Sequence, residues 1–326
     1  MKLINIEKII TKYLDMEAYG QNIIVKQYCN FPKYLPLPAH LEHGWTPKSG
    51  ALISDLEVAK HKNLMLVFSQ RRKDAWVKKS RIRVEIIGSP FIFYKKMMGI
   101  KQTSRATGTV VFPSHSTILM ESKYDIGDYC KQLKKLPKKF HPIEICLFCV
   151  DIQKGKDAIY KKYGFRVISA GSRVRGSLNF ARNFYNILSR HKYATSNEIG
   201  SYTFYAVEMG IPFFLYGKKT YIVNTNNKDQ NIKRIARGRN YKFYNVAANL
   251  FSNYHIARIS KKQKYFMIAE MGINKKLPID KLKKILWSNS KNIRYWFVQV
   301  PLYFFLSIVK IIIPQKIAYK IYMRIN

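Results

Sequence analysis

The sequence predicts an α/β protein built from two units, each with a parallel sheet. Segments typical of buried strands alternate with segments typical of helices along most of the chain, and this alternation is the pattern of parallel sheets flanked by helices. At 326 residues the chain is long enough for two domains of ordinary size. Apolar residues make up 47% of it, which excludes wholesale disorder.

Apolar runs bounded by glycine, proline or polar residues predict the strands. These strands cover residues 22–29, 63–69, 82–88, 107–112, 143–150, 165–169 and 211–217. The helices are predicted over residues 1–20, 55–61, 91–98, 125–136, 157–163, 177–190 and 201–209. In the helix over 177–190, apolar residues recur at the spacing of one buried face: Ala181, Phe184, Tyr185 and Leu188.

The domain boundary is predicted within residues 101–107, which are polar and weakly patterned. It divides the chain into a first unit over residues 1–105 and a second unit over residues 106–280. The remaining tail, 281–326, carries nine lysines and arginines and no acidic residue. An almost wholly apolar stretch within it is marginal in length for spanning a bilayer. It suits a helix lying in the membrane interface, or a C-terminal helix packed back over the first unit.

The net charge of +39 predicts a polyanionic partner. Nucleic acid, an anionic membrane and phosphorylated substrates all fit such a field. The cluster Arg71, Arg72 and Lys73 is interpreted as surface charge facing anionic lipid. The N-terminus has no long apolar run, so we expect no signal peptide and a cytoplasmic protein.

Cysteine usage predicts neither a disulfide framework nor a metal site. Cys146 and Cys149 form a lone CxxC inside an apolar run. No second CxxC or histidine pair completes a metal site, so core packing is the favoured interpretation.

The stretch over residues 193–210 predicts a phosphate-binding loop. A polar loop with small residues leads into a helix that starts at Gly200 and Ser201, and a helix start offers unpaired N–H groups and positive potential to an anion. Thr195, Ser196 and Ser201 would add hydroxyl groups. The alternative is that Ser201 is only the N-cap of the helix.

A second loop supplies a candidate general base. His40, Glu42 and His43 fall within four residues, next to Gly44. Histidine titrates near neutral pH and suits proton transfer. A purely structural role for each histidine is the alternative.

A third loop, over residues 113–117, carries His115 between Ser114 and Ser116. These side chains suit a nucleotide phosphate or ribose. The alternative is a strand-end turn in which Ser116 or Thr117 caps a helix.

Three segments resemble those of a known enzyme family. Residues 43–48, His-Gly-Trp-Thr-Pro-Lys, resemble the His-Gly-Thr-Pro-Leu-Lys segment of bacterial CDP-glycerol glycerophosphotransferases, which build teichoic acids. Residues 110–115 are similar to the strand-and-proline segment that opens the second domain of those enzymes. The loop over 195–201 resembles their hydroxyl-rich phosphate-binding loop.

The same layout occurs in bacterial capsule and lipopolysaccharide glycosyltransferases of the GT-B fold, including those that use CMP-activated sugars such as sialic acid or Kdo. Asn197 and separated hydroxyls stand where the teichoic acid enzymes have an Asp and a Ser pair, and Trp45 replaces a Thr. These departures favour sugar transfer over glycerol-phosphate transfer.

The resemblance implies a GT-B-like architecture, in which two Rossmann-like domains with parallel sheets face a cleft, followed by the basic, aromatic helical tail. It implies that His43 is the general base and that Thr195, Ser196 and Ser201 contact the donor phosphate. No Asp-x-Asp motif is evident, so cations such as His115, Arg173 and Arg175 would balance the charge of the leaving phosphate.

The full set of candidate residues follows from these three loops and their neighbours. The catalytic candidates are His43, Glu42 and His40. The donor-binding candidates are Ser114, His115, Ser116, Arg173, Thr195, Ser196, Asn197, Gly200, Ser201 and Glu208. Glu208 would reach a ribose hydroxyl, or is a surface residue. No metal and no cofactor beyond the nucleotide-sugar co-substrate are expected.

The sequence therefore predicts an inverting, metal-independent glycosyltransferase of lipopolysaccharide or capsule biosynthesis, with a CMP-sugar favoured as donor. Its partners would be a lipid-linked glycan acceptor and the anionic inner face of the cytoplasmic membrane, on which it would be peripheral. One alternative is a CDP-glycerol-type phosphotransferase. The other alternative is a basic nucleic-acid-binding protein. The sequence has no recognition-helix, zinc-finger or RNP-type pattern, which counts against this alternative. We therefore expect no nucleic acid as partner.

Overall fold

The computed structural model describes residues 18–47, 62–117, 120–171, 177–218, 220–224, 235–236, 242–255 and 258–312. The helix predicted over residues 55–61 lies outside this part of the chain. Most of the helix predicted over 1–20 lies outside it as well, and Ala18–Gly20 forms a single 3-10 turn.

The first unit is built on a three-stranded parallel sheet. Its strands are β1 (His40–Leu41), β2 (Leu64–Val67) and β3 (Arg83–Ile86), in the order β1-β2-β3. Its helices are α1 (Gln21–Tyr28), α2 (Gln70–Val77) and α3 (Pro90–Met97). Every residue of β2 is buried, as expected for a central strand of a parallel sheet covered on both faces.

Residues 22–28 belong to helix α1 and Cys29 is its C-cap, so the strand predicted over 22–29 is wrong. The β-branched run Ile23-Ile24-Val25 is typical of a strand. In the structure, Ile24 and Val25 are buried in the core and α1 packs against α3, where Tyr28 stacks on Phe93 with ring centroids 4.0 Å apart. Packing against a neighbouring helix thus overrides the local preference.

The second unit contains eight described strands and seven described helices. The strands are β4 (Thr107–Val111), β5 (Met120–Lys123), β6 (Ile143–Cys146), β7 (Arg166–Ile168), β8 (His191–Ser196), β9 (Phe213–Leu215), β10 (Tyr221–Asn224) and β11 (Ile235–Ala236). The helices are α4 (Ile126–Lys134), α5 (Cys149–Gln153), α6 (Lys156–Lys162), α7 (Asn179–Ser189), α8 (Ser201–Glu208), α9 (Lys242–Phe251) and α10 (Lys261–Glu270). Five strands form a parallel sheet in the order β7-β6-β4-β8-β9, and β11-β10-β5 form a small antiparallel sheet. The predicted α/β class with parallel sheets in both units is confirmed.

The larger sheet changes winding direction between β4 and β8. From β4 the chain winds outward through β6 to β7, and α7 then returns it to β8 on the other side of β4. Val111 at the end of β4 pairs directly with Thr195 near the end of β8. Open parallel sheets bind ligands in the crevice at the carboxyl ends of two such strands.

Several predicted boundaries move in the structure. Tyr193 to Ser196 belong to β8, so the predicted polar loop begins only at Asn197. The strand predicted over 143–150 ends at Cys146, and Cys149 begins α5. The strands predicted over 63–69, 82–88, 107–112, 165–169 and 211–217 and the helices predicted over 91–98, 125–136, 157–163, 177–190 and 201–209 are confirmed with small shifts of their ends.

The two units share one hydrophobic core. Phe91 of α3 stacks on Tyr205 of α8 with ring centroids 5.2 Å apart, and the Ser89 and Tyr205 hydroxyls are 2.9 Å apart. Burial raises the pKa of Tyr205 to about 12, so its hydroxyl keeps its proton for this hydrogen bond. The units are therefore joined by a buried contact rather than by a linker alone.

The C-terminal helices return to the first unit. They are α11 (Ile279–Ser290), a π-helical turn (Tyr295–Gln299) and α12 (Val300–Ile312). Asn289 donates hydrogen bonds to the carbonyls of Pro38 and Lys62, and Tyr295 Oη donates to the carbonyl of Pro36 at 2.7 Å. Within the described part of the chain, no helix combines the length and apolar character that a bilayer crossing requires.

Candidate functional site

The loop after β1 reaches across to the second unit. The backbone N–H of Trp45 donates to Ser201 Oγ at 3.0 Å, and the Trp45 ring packs against Phe204 with centroids 5.0 Å apart. Gly44 has a φ of +90°, and a Cβ atom there would lie 3.1 Å from Ser201 Oγ. The predicted His-Gly-Trp segment therefore lies directly over the start of α8.

Two neighbouring helices hold this loop in place. Trp45 Nε1 donates to Glu270 Oε2 of α10 at 2.6 Å. Arg71 of α2 pairs with the same carboxylate at 2.5 Å and donates to the Thr46 carbonyl at 2.7 Å. Arg71 was predicted to be surface charge, and that prediction is wrong, because its guanidinium bridges the loop and α10.

A chain of aromatic contacts links the two candidate histidines, which come from different units. His43 is exposed and lies beside Tyr19, with ring centroids 5.9 Å apart. Tyr19 is 6.5 Å from Phe148, which follows β6, and Phe148 is 5.1 Å from His115, which follows β4. His43 and His115 therefore flank one pair of aromatic rings at the carboxyl ends of the strands.

His40 and Glu42 lie inside the first unit, which corrects their prediction as alternative bases. Both are buried, as is Leu41 between them, because β1 lies within the first unit and both of its faces are covered. Glu42 forms an ion pair with the buried Arg72 and accepts a hydrogen bond from the backbone N–H of Phe68 at 3.3 Å. The prediction of Arg72 as surface charge is therefore wrong. Of the three catalytic candidates, His43 remains as the candidate base.

The end of β4 is tied to the end of β8 by a side-chain amide. The backbone N–H of Ser114 donates to Asn197 Oδ1 at 2.9 Å, and Ser114 Oγ lies 2.7 Å from Ser122 Oγ. All three residues are buried. Ser114 and Asn197, both predicted donor ligands, thus lie buried at the carboxyl ends of these strands and bond to each other.

Ser116 takes part in a buried network that the sequence does not reveal. Its backbone N–H donates to Asp151 Oδ2 at 2.9 Å, and its Oγ accepts from Lys156 Nζ at 3.0 Å. Lys156 and Asp151 form an ion pair at 2.8 Å. The only sequence signal is opposite charge five residues apart, which is far too common to identify a buried pair.

Thr195 and Ser196 are fully buried strand residues rather than the loop residues that were predicted. Thr195 Oγ1 donates to the carbonyl of Phe214 at 2.6 Å. Ser196 Oγ lies 3.0 Å from Tyr202 Oη and accepts the backbone N–H of Glu198. Of the three hydroxyls predicted to bind phosphate, Ser201 alone is partly exposed.

Gly200, not Ser201, is the N-cap of α8. The interpretation of Ser201 as a simple N-cap is therefore wrong, since it occupies the first helical position. The Gly200 N–H donates to Thr203 Oγ1 at 3.3 Å. A glycine cap has no side-chain oxygen to cover the N–H groups of the first turn, a geometry suited to an anionic group.

Glu208 does not point into the crevice, which corrects its prediction as a ribose ligand. Its carboxylate pairs with Lys95 of α3 at 2.9 Å, so it helps to join the two units. Arg173 and Arg175 lie outside the described residues.

The CxxC segment has the character of core packing. Burial raises the pKa of the Cys146 thiol to about 12, which makes it a poor metal ligand or nucleophile at neutral pH. Among the described residues, no group of three or more histidines, cysteines and carboxylates is placed to hold a metal ion.

No protein-family model matches the chain, and no curated protein matches it. Among solved structures, the chain overlaps that of WaaG, a glycosyltransferase involved in lipopolysaccharide biosynthesis, with a TM-score of 0.26 and 9% identity. The overlap covers 74% of this chain and 68% of WaaG. The α/β class itself rests on the two parallel sheets described above.

Proposed function

We propose that the protein is a glycosyltransferase that moves a sugar from a nucleotide-sugar donor to a lipid-linked or surface glycan. A CMP-sugar is the favoured donor, and lipopolysaccharide or capsule assembly at the inner face of the cytoplasmic membrane is the proposed setting. One observation carries the proposal: the His43 loop of the first unit lies over the start of α8, at the winding switch of the second sheet.

In this proposal the donor nucleotide binds at the carboxyl ends of β4 and β8. Ser114 and Asn197 tie the ends of these strands together there, and the N–H groups of the first turn of α8 receive the phosphate. Ser201 is the hydroxyl that we expect to contact the donor, because it is partly exposed and lies at the start of α8.

The proposed reaction is an inverting displacement. His43 takes the proton of an acceptor hydroxyl, whose oxygen bonds to the anomeric carbon as the bond from that carbon to the phosphate oxygen breaks. The nucleotide leaves with the bonding electrons. Helix N–H groups, Ser201 and His115 would stabilise the negative charge that develops on it. This scheme uses neither a metal nor a cofactor.

A nucleotide screen followed by a transfer assay tests the proposal. CMP, CDP, UDP and GDP are added separately, and we expect CMP to raise the melting temperature most, because a ligand that binds only the folded state stabilises it. The matching labelled nucleotide sugar is then offered with a lipid-linked acceptor. His43→Ala should abolish transfer while leaving a cooperative melt, and His255→Ala, at another exposed histidine, should leave it unchanged.

The same screen separates the alternatives. Stabilisation by CDP together with transfer of glycerol phosphate would select the CDP-glycerol-type phosphotransferase. Tight binding of a random DNA duplex at physiological salt, with no response to any nucleotide, would favour the nucleic-acid-binding alternative. Full transfer by His43→Ala would remove His43 from the mechanism.

A further inference from the structure

The C-terminal helices present an apolar face to solvent. Its members follow α11 and extend through the π-helical turn into α12, and they are Ile293, Trp296, Phe297, Phe304, Phe305 and Ile308. Phe297 is 77% exposed and Ile293 is 70% exposed. Single exposed apolar residues are common on protein surfaces, whereas clustered exposed apolar residues mark an interaction site, and these six fall within one short segment of the chain.

The opposite face of the same segment is fixed to the first unit. Tyr295 and Gln299 are buried, and Tyr295 Oη donates to the Pro36 carbonyl at 2.7 Å. Lys26 Nζ lies 5.2 Å from the centre of the Tyr303 ring, one turn further along. The segment therefore cannot rotate to bury its aromatic face without losing these contacts.

Basic side chains are exposed in the same C-terminal segment. Lys281, Lys284, Lys291 and Arg294 are exposed, and within the described part of the chain no carboxylate forms an ion pair with any of them. The sequence has no acidic residue from position 281 onward. Exposed aromatic rings and unpaired cations within one segment are the combination that interfacial membrane helices present to anionic lipid.

We propose that this face docks on the surface of an anionic phospholipid bilayer. The aromatic and aliphatic side chains enter the boundary between headgroups and acyl chains, and the four cations contact lipid phosphates. A second copy of the chain is a poorer occupant, since a two-fold contact through the same face would bring both sets of cations together. The inference rests on the proposed function in one respect, namely that a lipid-linked acceptor is presented at this surface.

Vesicle sedimentation with the full-length chain tests the docking. We compare phosphatidylcholine vesicles with vesicles in which about one quarter of the lipid is phosphatidylglycerol, and expect binding mainly to the latter. The variant Phe297→Ser/Phe305→Ser should bind at least about tenfold more weakly. Tyr265→Ser, at a 69% exposed aromatic residue on α10, is the matched control and should bind like the original chain. Lys284→Glu/Lys291→Glu should also weaken binding, and Lys78→Glu/Lys79→Glu, at exposed lysines of the first unit, should weaken it less.

Two outcomes would overturn the docking proposal. One is equal vesicle binding by the original chain and Phe297→Ser/Phe305→Ser, with matching circular dichroism melts. The other is a concentration-dependent dimer that this variant abolishes while vesicle binding is absent throughout, which would assign the face to a second copy. Transfer to a water-soluble acceptor fragment keeps the two proposals apart. Phe297→Ser/Phe305→Ser should retain transfer to this soluble acceptor. If the original chain shows no such transfer, that result counts against the proposed transferase and not against docking.

Discussion

The backbone N–H of Trp45 and the hydroxyl of Ser201 are 3.0 Å apart although 156 residues separate them in the sequence. This hydrogen bond joins the loop after β1 to the first turn of α8. Any ligand that binds the first turn of α8 must therefore lie next to the loop that carries His43. Substitutions in this loop and at Ser201 therefore test whether the position of the loop matters for function.

Gly44→Ala should destabilise the protein and lower transfer. Gly44 has a φ of +90°, which strains any side chain, and the new Cβ would lie 3.1 Å from Ser201 Oγ. We expect the free energy of unfolding in urea to fall by about 1–2 kcal/mol. The steady-state transfer rate should fall further than the fraction of folded protein explains, because the His43 loop is displaced.

Gly99→Ala is the matched control for this change. Gly99 also has a positive φ, +61°, but no atom lies within 4 Å of the added Cβ. In Gly99→Ala the free energy of unfolding should fall by about 1 kcal/mol from backbone strain alone, and the transfer rate should not change. Equal loss of transfer in both variants would show that the Gly44 contact with Ser201 is not what matters.

Ser201→Ala should weaken nucleotide binding more than acceptor binding. It removes the partly exposed hydroxyl at the start of α8, which is also the acceptor for the Trp45 N–H. We expect a loss of about 1 kcal/mol in stability. Isothermal titration with CMP should show a several-fold weaker Kd, while the KM for acceptor changes little. Ser252→Ala, at an exposed serine, should alter neither. Unchanged CMP affinity in Ser201→Ala would reduce Ser201 to an anchor for the loop.

The alternation of strands and helices was readable from the sequence, because buried parallel strands leave continuous apolar runs. The four hydrophobic positions predicted for one face of α7, Ala181, Phe184, Tyr185 and Leu188, are all buried. The error over residues 22–29 arose from β-branched residues that pack as a helix. Local propensity contributes only a fraction of a kcal/mol per residue, and packing of α1 against α3 exceeds it.

The candidate site was predicted less well than the fold. The sequence indicated which loops carry polar groups but not which of those groups face inward. Glu42 and Thr195 are residue types that are common in binding sites. In the structure, however, the Glu42 carboxylate pairs with Arg72, and the Thr195 hydroxyl donates to the Phe214 carbonyl. Such partners lie 30 and 19 residues away, and no local pattern specifies them.

Arg72→Met should be among the most destabilising single changes in the first unit. It leaves the Glu42 carboxylate buried without its ion-pair partner, and removing one partner of a buried pair costs about 3–5 kcal/mol. Urea unfolding followed by circular dichroism measures the change. Arg83→Met is the control, since Arg83 is about half exposed in its pair with Glu85. This variant should lower the free energy of unfolding by no more than about 1 kcal/mol. A small effect of Arg72→Met would mean that water reaches Glu42.

Thiol labelling should distinguish the four cysteines. Burial raises the pKa of Cys29 and Cys130 to about 11 and that of Cys146 to about 12, and Cys149 alone is partly exposed. Because the thiolate is the reactive form, iodoacetamide at about pH 8 should label Cys149 first in the folded protein. Mass spectrometry should then find all four labelled in urea. Rapid native labelling of Cys146 would contradict its place in the core.

Lys95 and Glu208 should contribute to stability as a coupled pair across the two units. Their charged groups are 2.9 Å apart and mostly buried. Lys95→Met and Glu208→Gln should each lower the free energy of unfolding by about 1–3 kcal/mol, and the double variant should lose less than the sum, with a coupling energy of about 1–2 kcal/mol.

An exposed pair gives the comparison that interprets this cycle. Arg166 and Glu144 are 2.7 Å apart, but the Arg166 side chain is 70% exposed, so their coupling energy should be about 0.5 kcal/mol. CMP affinity should be unchanged in Glu208→Gln, because its carboxylate faces Lys95 and not the crevice. A weaker Kd for CMP in Glu208→Gln, with no coupling to Lys95→Met, would restore the ribose-binding role that the sequence suggested for Glu208.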